Sequence, residues 1–470
     1  MVDRVDVAIV GAGTAGLAAL REVRQRTEDF VLINAPPFGT TCARVGCMPS
    51  KALIAAANAL HVRTKLDKFG IRGGEHLCAD IPTVLARVRA LRDHFVAGVL
   101  KSTDDLGPRK IVARARLDGP NRLVAGDRVI EARRIVLAPG SSPFVPQPWQ
   151  ALGRHVLTTD TLFEQEDLPR RIGVVGLGAI GVEIAQALAR LGLEVYGFDG
   201  GNCLAGVTDE KVAQVVRAAL GGEFAVHLGV DVDLAEVEGS IELCWRDGRV
   251  LVDRVLAAVG RRPNVEGLGL ETLGVPLDEK GMPEVDPHTM RIGDTPVFLA
   301  GDANGVDPIL HEGADDGHIA GLNATSDEPI RFARRMPLTI TFCEPEVATV
   351  GKRASELDAE CLVGELNFSS QGRARIMQEN HGILRIYAAR EGGRLVGAEM
   401  ALPAGEHLAH LLALAVDREL TVYDLLRMPF YHPTLEEGLR SALRQIARQL
   451  PLCSASELAG CAPLGAEALE

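Results

Sequence analysis

The segment 5-VDVAIVGAGTAGLAAL-20 decides the fold. An apolar run of strand length meets three glycines, and an Ala- and Leu-rich stretch with helical spacing follows, which predicts a strand, a tight turn and a helix. Gly11 permits the turn, Gly13 lets the backbone approach a pyrophosphate, and Gly16 lets helix and strand pack closely. The segment 171-RIGVVGLGAIGVEIAQALARLG-192 repeats the arrangement with Gly176, Gly178 and Gly181. In each copy a second apolar strand follows, 30-FVLIN-34 and 194-EVYGFD-199. The position expected at an adenosine ribose falls 23 residues after the first glycine both times: Asn34 from Gly11, Asp199 from Gly176. One such glycine pattern is weak evidence. Two copies with equal internal distances, each between strand and helix, predict two dinucleotide sites, with Thr14, Ala15 and Ile180 of the turns as further candidate contacts.

Three more apolar runs end in glycine turns, 135-IVLAPGSS-142, 255-VLAAVGRRPN-264 and 297-VFLAGDAN-304. Ligands of parallel sheets sit at such carboxyl ends, so Gly140, Gly260, Arg261, Gly301 and Asp302 are candidate cofactor residues. From about Met336 the pattern changes. The runs 336-MPLTITFCEPEVATVG-351, 383-ILRIYAAR-390 and 394-RLVGAEM-400 read as antiparallel strands, and 405-GEHLAHLLALAV-416 as an amphipathic helix, so a separate α+β domain is expected.

A chain of 470 residues is too long for one core and predicts two to four domains. Its net charge of -13 argues against nucleic acid or an anionic membrane surface as main partner. Asp3, Arg4 and Asp6 near the start fit a first strand rather than a signal peptide, and no span reaches the roughly 18 apolar residues of a membrane helix. A soluble cytoplasmic protein is expected. Nine cysteines, an odd number thinly spread, do not suit a secreted disulfide framework. The close pair in 39-GTTCARVGCMPSK-51, Cys42 and Cys47, therefore reads as catalytic or metal-binding.

The motifs GAGTAG, TCARVGCMPSK, GLGAIGVE, GRRPN, AGDAN and 430-FYHPTLEE-437, in this order, resemble the pyridine nucleotide-disulfide oxidoreductases of the dihydrolipoyl dehydrogenase, glutathione reductase and mercuric reductase type. The resemblance covers nearly the whole chain. It implies an α/β protein with two Rossmann-like domains and a C-terminal dimerisation domain: FAD-binding over 1–147, NAD-binding over 148–264, a second FAD-binding part over 265–335, and the interface over 336–470. It implies electron transfer from a dithiol through a redox-active disulfide Cys42-Cys47 and FAD to NAD. Cys47, at the start of a helix beginning near Pro49, would be the flavin-side thiolate, helped by the helix dipole; Cys42 would exchange with substrate. Lys51 and Glu183 match an ion pair beside flavin and nicotinamide, and Thr41 a cofactor contact. His432, oriented by Glu437, would be the general acid/base acting on the disulfide of the other subunit of an obligate homodimer. Asp302 would hold the ribityl chain, and the helix start at His311 would face the isoalloxazine through its backbone.

Departures from the family pattern carry information. Asn34 replaces the usual acid on the FAD ribose, and Pro139 replaces a threonine. Asp199 keeps the acid of the second site, and Gly200-Gly201-Asn202 brings no cation for a 2′-phosphate, which favours NAD over NADP. Arg44, between the cysteines, could favour thiolate at Cys42, bind an acidic substrate, or point to solvent. Cys453 and Cys461 are not adjacent, and no role is expected of them. No metal site is expected, and the start of the chain carries no sign of a metal-binding domain. The expected reaction is oxidation of dihydrolipoamide, free or on a lipoyl protein, by NAD+; membership of a 2-oxoacid dehydrogenase complex stays open. Its rivals are NAD(P)H-dependent reduction of another disulfide, glutathione-like, or of a metal ion, and a non-catalytic NADH-sensing flavoprotein.

Overall fold

The computed structural model describes residues 2–450. The tail with Cys453 and Cys461 lies outside them. The chain builds two parallel α/β units and a C-terminal α+β unit. In the first sheet, Val2–Val10 runs parallel between Phe30–Asn34 and Arg128–Leu137, with Val10 opposite both Ile33 and Leu137. Strand Val297–Leu299 returns to the other side of Arg128–Leu137, so this sheet is completed by chain more than 150 residues downstream. The strands lie between the helix Thr14–Val23 on one face and the hairpin strands Ala115–Leu117 and Arg122–Ala125 at one edge. Val7, Ala8, Ile9, Leu32, Ile33, Ile135 and Val136 are fully buried, as continuous apolar runs in a doubly covered parallel sheet should be.

The second sheet repeats the plan. Arg171–Val175 lies between Glu194–Asp199 and Arg254–Ala257, all parallel, and the helix Ala179–Arg190 packs with nine buried residues. An antiparallel meander, Asp233–Val237, Ser240–Trp245 and Gly248–Val252, covers this sheet; Gly173 leaves room for Leu243 and Val252. The two units are joined by a short antiparallel pairing of Ser141–Pro143 with Arg261–Pro263. The C-terminal sheet is antiparallel throughout, in the order Leu338–Thr341, Glu346–Gly351, Leu395–Leu402, Ile383–Ala388, Leu362–Asn367. Helices Gly405–Asp417 and Glu437–Ala447 pack on it.

One close helix crossing completes the first unit, and one buried carboxylate joins the second unit to the C-terminal sheet. The helix Leu310–Ala324 crosses Thr14–Val23 at glycines: a Cβ on Gly317 would lie 2.1 Å from Ala15 O and one on Gly321 2.6 Å from Ala19 O. Glu399 of the C-terminal sheet, fully buried, accepts from Thr208 N (2.7 Å), Thr208 Oγ1 (2.6 Å), Asp209 N (3.0 Å) and Ala354 N (2.7 Å). Such a carboxylate tolerates burial because four donors replace its water. No helix among the described residues is long and apolar enough to cross a membrane.

Candidate active site

Each glycine turn leaves a cradle whose shape is forced by its residues. Gly11 and Gly176 have φ of +103° and +94°, and a Cβ on them would lie 2.1 Å from Ala138 O and 2.3 Å from Ala258 O. Gly16 and Gly181 pass so close to the turn that a Cβ would lie 1.9 Å from Gly11 O and 1.8 Å from Gly176 O. Gly13 and Gly178 face open space, with nothing within 4 Å of such a Cβ, and each caps the N-terminus of its helix. An open, side-chain-free helix start with unpaired N–H groups fits a diphosphate, so both cradles suit a dinucleotide. Thr14 opens the first helix, Ala15 is buried against Gly301 and Gly317, and Ile180 stands exposed in the first turn of the second.

The residue ending each second strand braces its own turn. Asp199 accepts from Leu177 N at 2.6 Å and from Gly201 N at 2.7 Å. Asn34 accepts from Ala12 N at 3.1 Å and donates to Ala35 O at 3.2 Å. Losing the charge at Asn34 thus leaves the first turn supported.

Between the cradles lies the cysteine loop. Thr40 Oγ1 accepts from Ala43 N at 3.1 Å and caps the short helix Thr41–Arg44, which carries Cys42. Gly46 allows a close reversal past Thr41 O, and the next helix runs Cys47–His61. It starts two residues before Pro49, so Cys47 is its first residue, and the short helix over Cys42 has no strong sequence signal. Both cysteines are free thiols and half-buried. A hydrogen bond from the Cys42 thiol pushes the Cys47 pKa down to about 6, against burial and with help from the Lys51 ammonium. The same hydrogen bond, together with burial, raises that of Cys42. Thiolate sits on Cys47 and the proton stays on Cys42.

Lys51 Nζ donates to Glu183 Oε1 and Oε2 at 2.9 and 2.7 Å and lies over the Phe342 ring, 4.6 Å from its centroid. Glu183, 5% exposed, also accepts from Phe342 N at 2.9 Å. Arg44 has its guanidinium 3.9 Å from Asp160 and is not among the leading causes of either cysteine's shift.

The strand ends converge on a second cluster. Gly140, Gly260 and Gly301 all have positive φ. Ser141 Oγ donates to Asp302 Oδ2 at 2.6 Å and accepts from Arg261 Nε at 2.7 Å, while Arg261 Nη2 donates to Ser141 O at 2.7 Å. Asp302 is thereby held in place. Asp316 braces the same turn, accepting from Gly301 N at 3.1 Å and Asn304 Nδ2 at 2.7 Å; burial raises its pKa in spite of Arg334. Sequence reasoning missed Ser141 and Asp316; position 141 follows a candidate glycine, but neither residue carries a signal in its own type. Pro139 follows the last strand residue, Leu137, by two positions, so its missing N–H costs no ladder bond, and Pro-Gly suits the turn into Ser141–Pro143. His311 is the second residue of helix Leu310–Ala324, its ring 3.7 Å from Glu312.

His432 stands apart. Its Nδ1 lies 2.8 Å from Glu437 Oε2, its side chain is 78% exposed, and the neighbouring Tyr431 is 82% exposed. No hydrogen bond or ion pair among the described residues joins it to Cys42 or Cys47 of the same chain. No group of three or more His, Cys, Asp or Glu able to hold a metal occurs among the described residues.

The family model described as "Pyridine nucleotide-disulphide oxidoreductase" matches residues 5–320, and that of its dimerisation domain matches 337–443. The chain is 30% identical over 459 residues to a dihydrolipoyl dehydrogenase of Bacillus subtilis, covering 93% of this chain and 97% of that one. It is 28% identical over 479 residues to a mercuric reductase of Shigella flexneri, covering 95% and 82%. Among solved structures, LpdA from Mycobacterium tuberculosis superposes with a TM-score of 0.82 at 26% identity, covering 94% of this chain and 99% of that one.

Proposed function

The chain belongs to the pyridine nucleotide-disulphide oxidoreductases, uses FAD and NAD(H), and carries a dimerisation domain; from this we propose that it is a dihydrolipoyl dehydrogenase. The carrying observation is the thiol pair: Cys42 and Cys47 are free and half-buried, with thiolate favoured at Cys47, beside a Lys51–Glu183 ion pair that ties the cysteine helix to the helix of the second cradle. The fit of Cys42 and Cys47 to disulfide exchange supports this reading. The first cradle would hold FAD and the second NAD, where the Asp199 carboxylate would favour ribose hydroxyls over a 2′-phosphate.

In the forward direction the enzyme starts with a Cys42–Cys47 disulfide. His432 of the partner subunit, held by Glu437, takes the proton of one substrate thiol. The resulting thiolate attacks Cys42 Sγ, and Cys47 leaves as thiolate, a good leaving group at a pKa of about 6. The second substrate thiol then displaces Cys42 from the mixed disulfide; Cys42 leaves as a thiol by taking the proton held on His432, and the proton of the second substrate thiol is released to solvent. Substrate ends as a disulfide; the enzyme holds a Cys42 thiol and a Cys47 thiolate. FAD, when bound, would supply the two-electron relay between this thiol pair and NAD+ that returns Cys42 and Cys47 to the disulfide. Lys51 keeps the charge on Cys47 balanced, and Glu183 keeps Lys51 in place. The exposure of His432 and Tyr431 supports an obligate homodimer in which this edge covers the neighbour's thiols.

Reduction of another disulfide or of a metal ion by NAD(P)H is the rival that the likeness to mercuric reductase favours. Purified holoenzyme with NAD+, NADH and NADPH, against dihydrolipoamide, lipoamide, glutathione disulfide and mercuric ion, separates the two. Turnover of dihydrolipoamide with NAD+ is expected. Failure with lipoyl substrates and turnover of any other would replace the assignment.

A further inference from the structure

Gln371 lies 66 positions before Glu437 and is 7% exposed. Its carboxamide is engaged at both ends. Oε1 accepts from Ala374 N at 2.7 Å and caps the helix Gly372–Met377, which fixes the orientation of the amide and turns Nε2 the other way. Nε2 donates to Thr434 O at 2.6 Å and reaches Glu437 Oε1 at 3.4 Å. The remaining carboxylate oxygen, Oε2, is the one that holds His432 Nδ1 at 2.8 Å. Thr434 Oγ1 in turn donates to Tyr431 O at 2.9 Å and accepts from Glu437 N at 3.3 Å. One buried amide thus touches both the carboxylate facing His432 and the turn that carries it.

We propose that Gln371 is a positioning residue for the thiol half of the reaction: it fixes the Glu437 carboxylate, and through it the ring orientation and tautomer of His432. The proposal rests on the reading of His432 as acid/base. An exposed imidazole held by one carboxylate inherits whatever freedom that carboxylate has. A donor on the far oxygen removes the freedom that would otherwise let the pair rotate into solvent.

The test is Gln371→Glu, which keeps the shape and the helix-capping oxygen but replaces the donor with a carboxylate against Glu437. Two carboxylates at that range share a proton at low pH and repel when both ionise. Stopped-flow reduction of the bound flavin by NADH, which uses neither group, should run at the parent rate. Reaction of the reduced enzyme with lipoamide should slow by about tenfold to a hundredfold at pH 8, the scale of a misplaced catalytic group. It should recover as pH falls and the new carboxylate pair regains its proton. A residue that only capped its helix would show neither the half-reaction split nor the pH recovery. Gln371→Asn, which shortens the amide away from Glu437, should slow the same half-reaction without that pH signature, and it decides the matter if the first variant does not fold. Parent speed with lipoamide in the folded variants overturns the proposal, provided His432→Gln abolishes that step. Parent speed in His432→Gln would overturn the acid/base reading itself.

Discussion

Replacing Lys51 by methionine should raise the Cys47 pKa by about one unit. Lys51 is one helical turn beyond Cys47, so their charged groups are on the order of 6 Å apart, worth about 3 kcal/mol or about two pK units at an effective dielectric near 20. The Lys51 side chain is 35% exposed and Glu183 opposes its charge, which roughly halves the effect on the thiol. From a starting value of about 6 the thiol should titrate near 7 in the variant. The sign is unambiguous: loss of a cation disfavours thiolate, so at pH 6.5 the thiolate fraction should drop from about three-quarters to about one-quarter. Iodoacetamide alkylation of the NADH-reduced enzyme, followed against pH with the modified cysteine identified by mass spectrometry, reads this directly. Arg44→Asn is the control, because Arg44 faces Asp160 and should leave the midpoint where it is. An unmoved midpoint in Lys51→Met, or an equal shift in Arg44→Asn, would refute the assignment of Lys51 as the local cation.

Three further outcomes follow from the geometry. Gly181→Ala drives a methyl to 1.8 Å from Gly176 O and should cost about 3 kcal/mol or more in the denaturant midpoint, whereas Gly178→Ala meets nothing within 4 Å and should fold normally while raising Kd for NADH at least about tenfold, measured by fluorescence titration. Cys47→Ser should remove the long-wavelength absorbance of the two-electron-reduced holoenzyme; persistence of that band would place the flavin-side thiolate elsewhere. Glu399→Gln turns an amide toward a ring of N–H donors and should destabilise by about 3 kcal/mol, seen as a lower thermal midpoint with NADH binding retained at low temperature.

The parts of the fold that could be read from sequence are those whose residue types are set locally. The turn glycines carry a local signature: Gly16 and Gly181 must pass the turn itself at Gly11 O and Gly176 O, and Gly13 and Gly178 leave each helix start bare, while Gly11 and Gly176 are closed over by Ala138 O and Ala258 O from a later strand end. Two copies made the pattern more than coincidence. Residues whose roles come from distant partners left no such trace. Ser141 matters because Arg261 and Asp302 meet on it, and Gln371 because Glu437 does; a polar residue in a loop has neither periodicity nor turn chemistry to mark it. The ion pair of Lys51 and Glu183 was visible only through likeness to known proteins, since 132 positions separate its members. Arg44 shows the converse limit, for its position between the cysteines suggests electrostatic tuning, yet its partner lies on another segment, at Asp160.

Glu183 ties these levels together. It belongs to the helix of the second cradle, holds the ammonium of Lys51 on the cysteine helix, and accepts the N–H of Phe342 at the edge of the C-terminal sheet. One carboxylate thus meets all three units of the fold. For stability alone this is a poor arrangement, because a buried ion pair must recover the desolvation of both charges and an apolar pair of equal volume commonly does as well or better. The placement makes physical sense when the requirement is a fixed positive charge beside a thiolate. Lys51 is long and flexible, and without an anchor its ammonium would turn toward water, leaving Cys47 with less support. Anchoring it to a group that the three units jointly bury makes the charge at Cys47 depend on their correct assembly, so the chemistry proposed for the thiol pair is available only once the whole chain has folded.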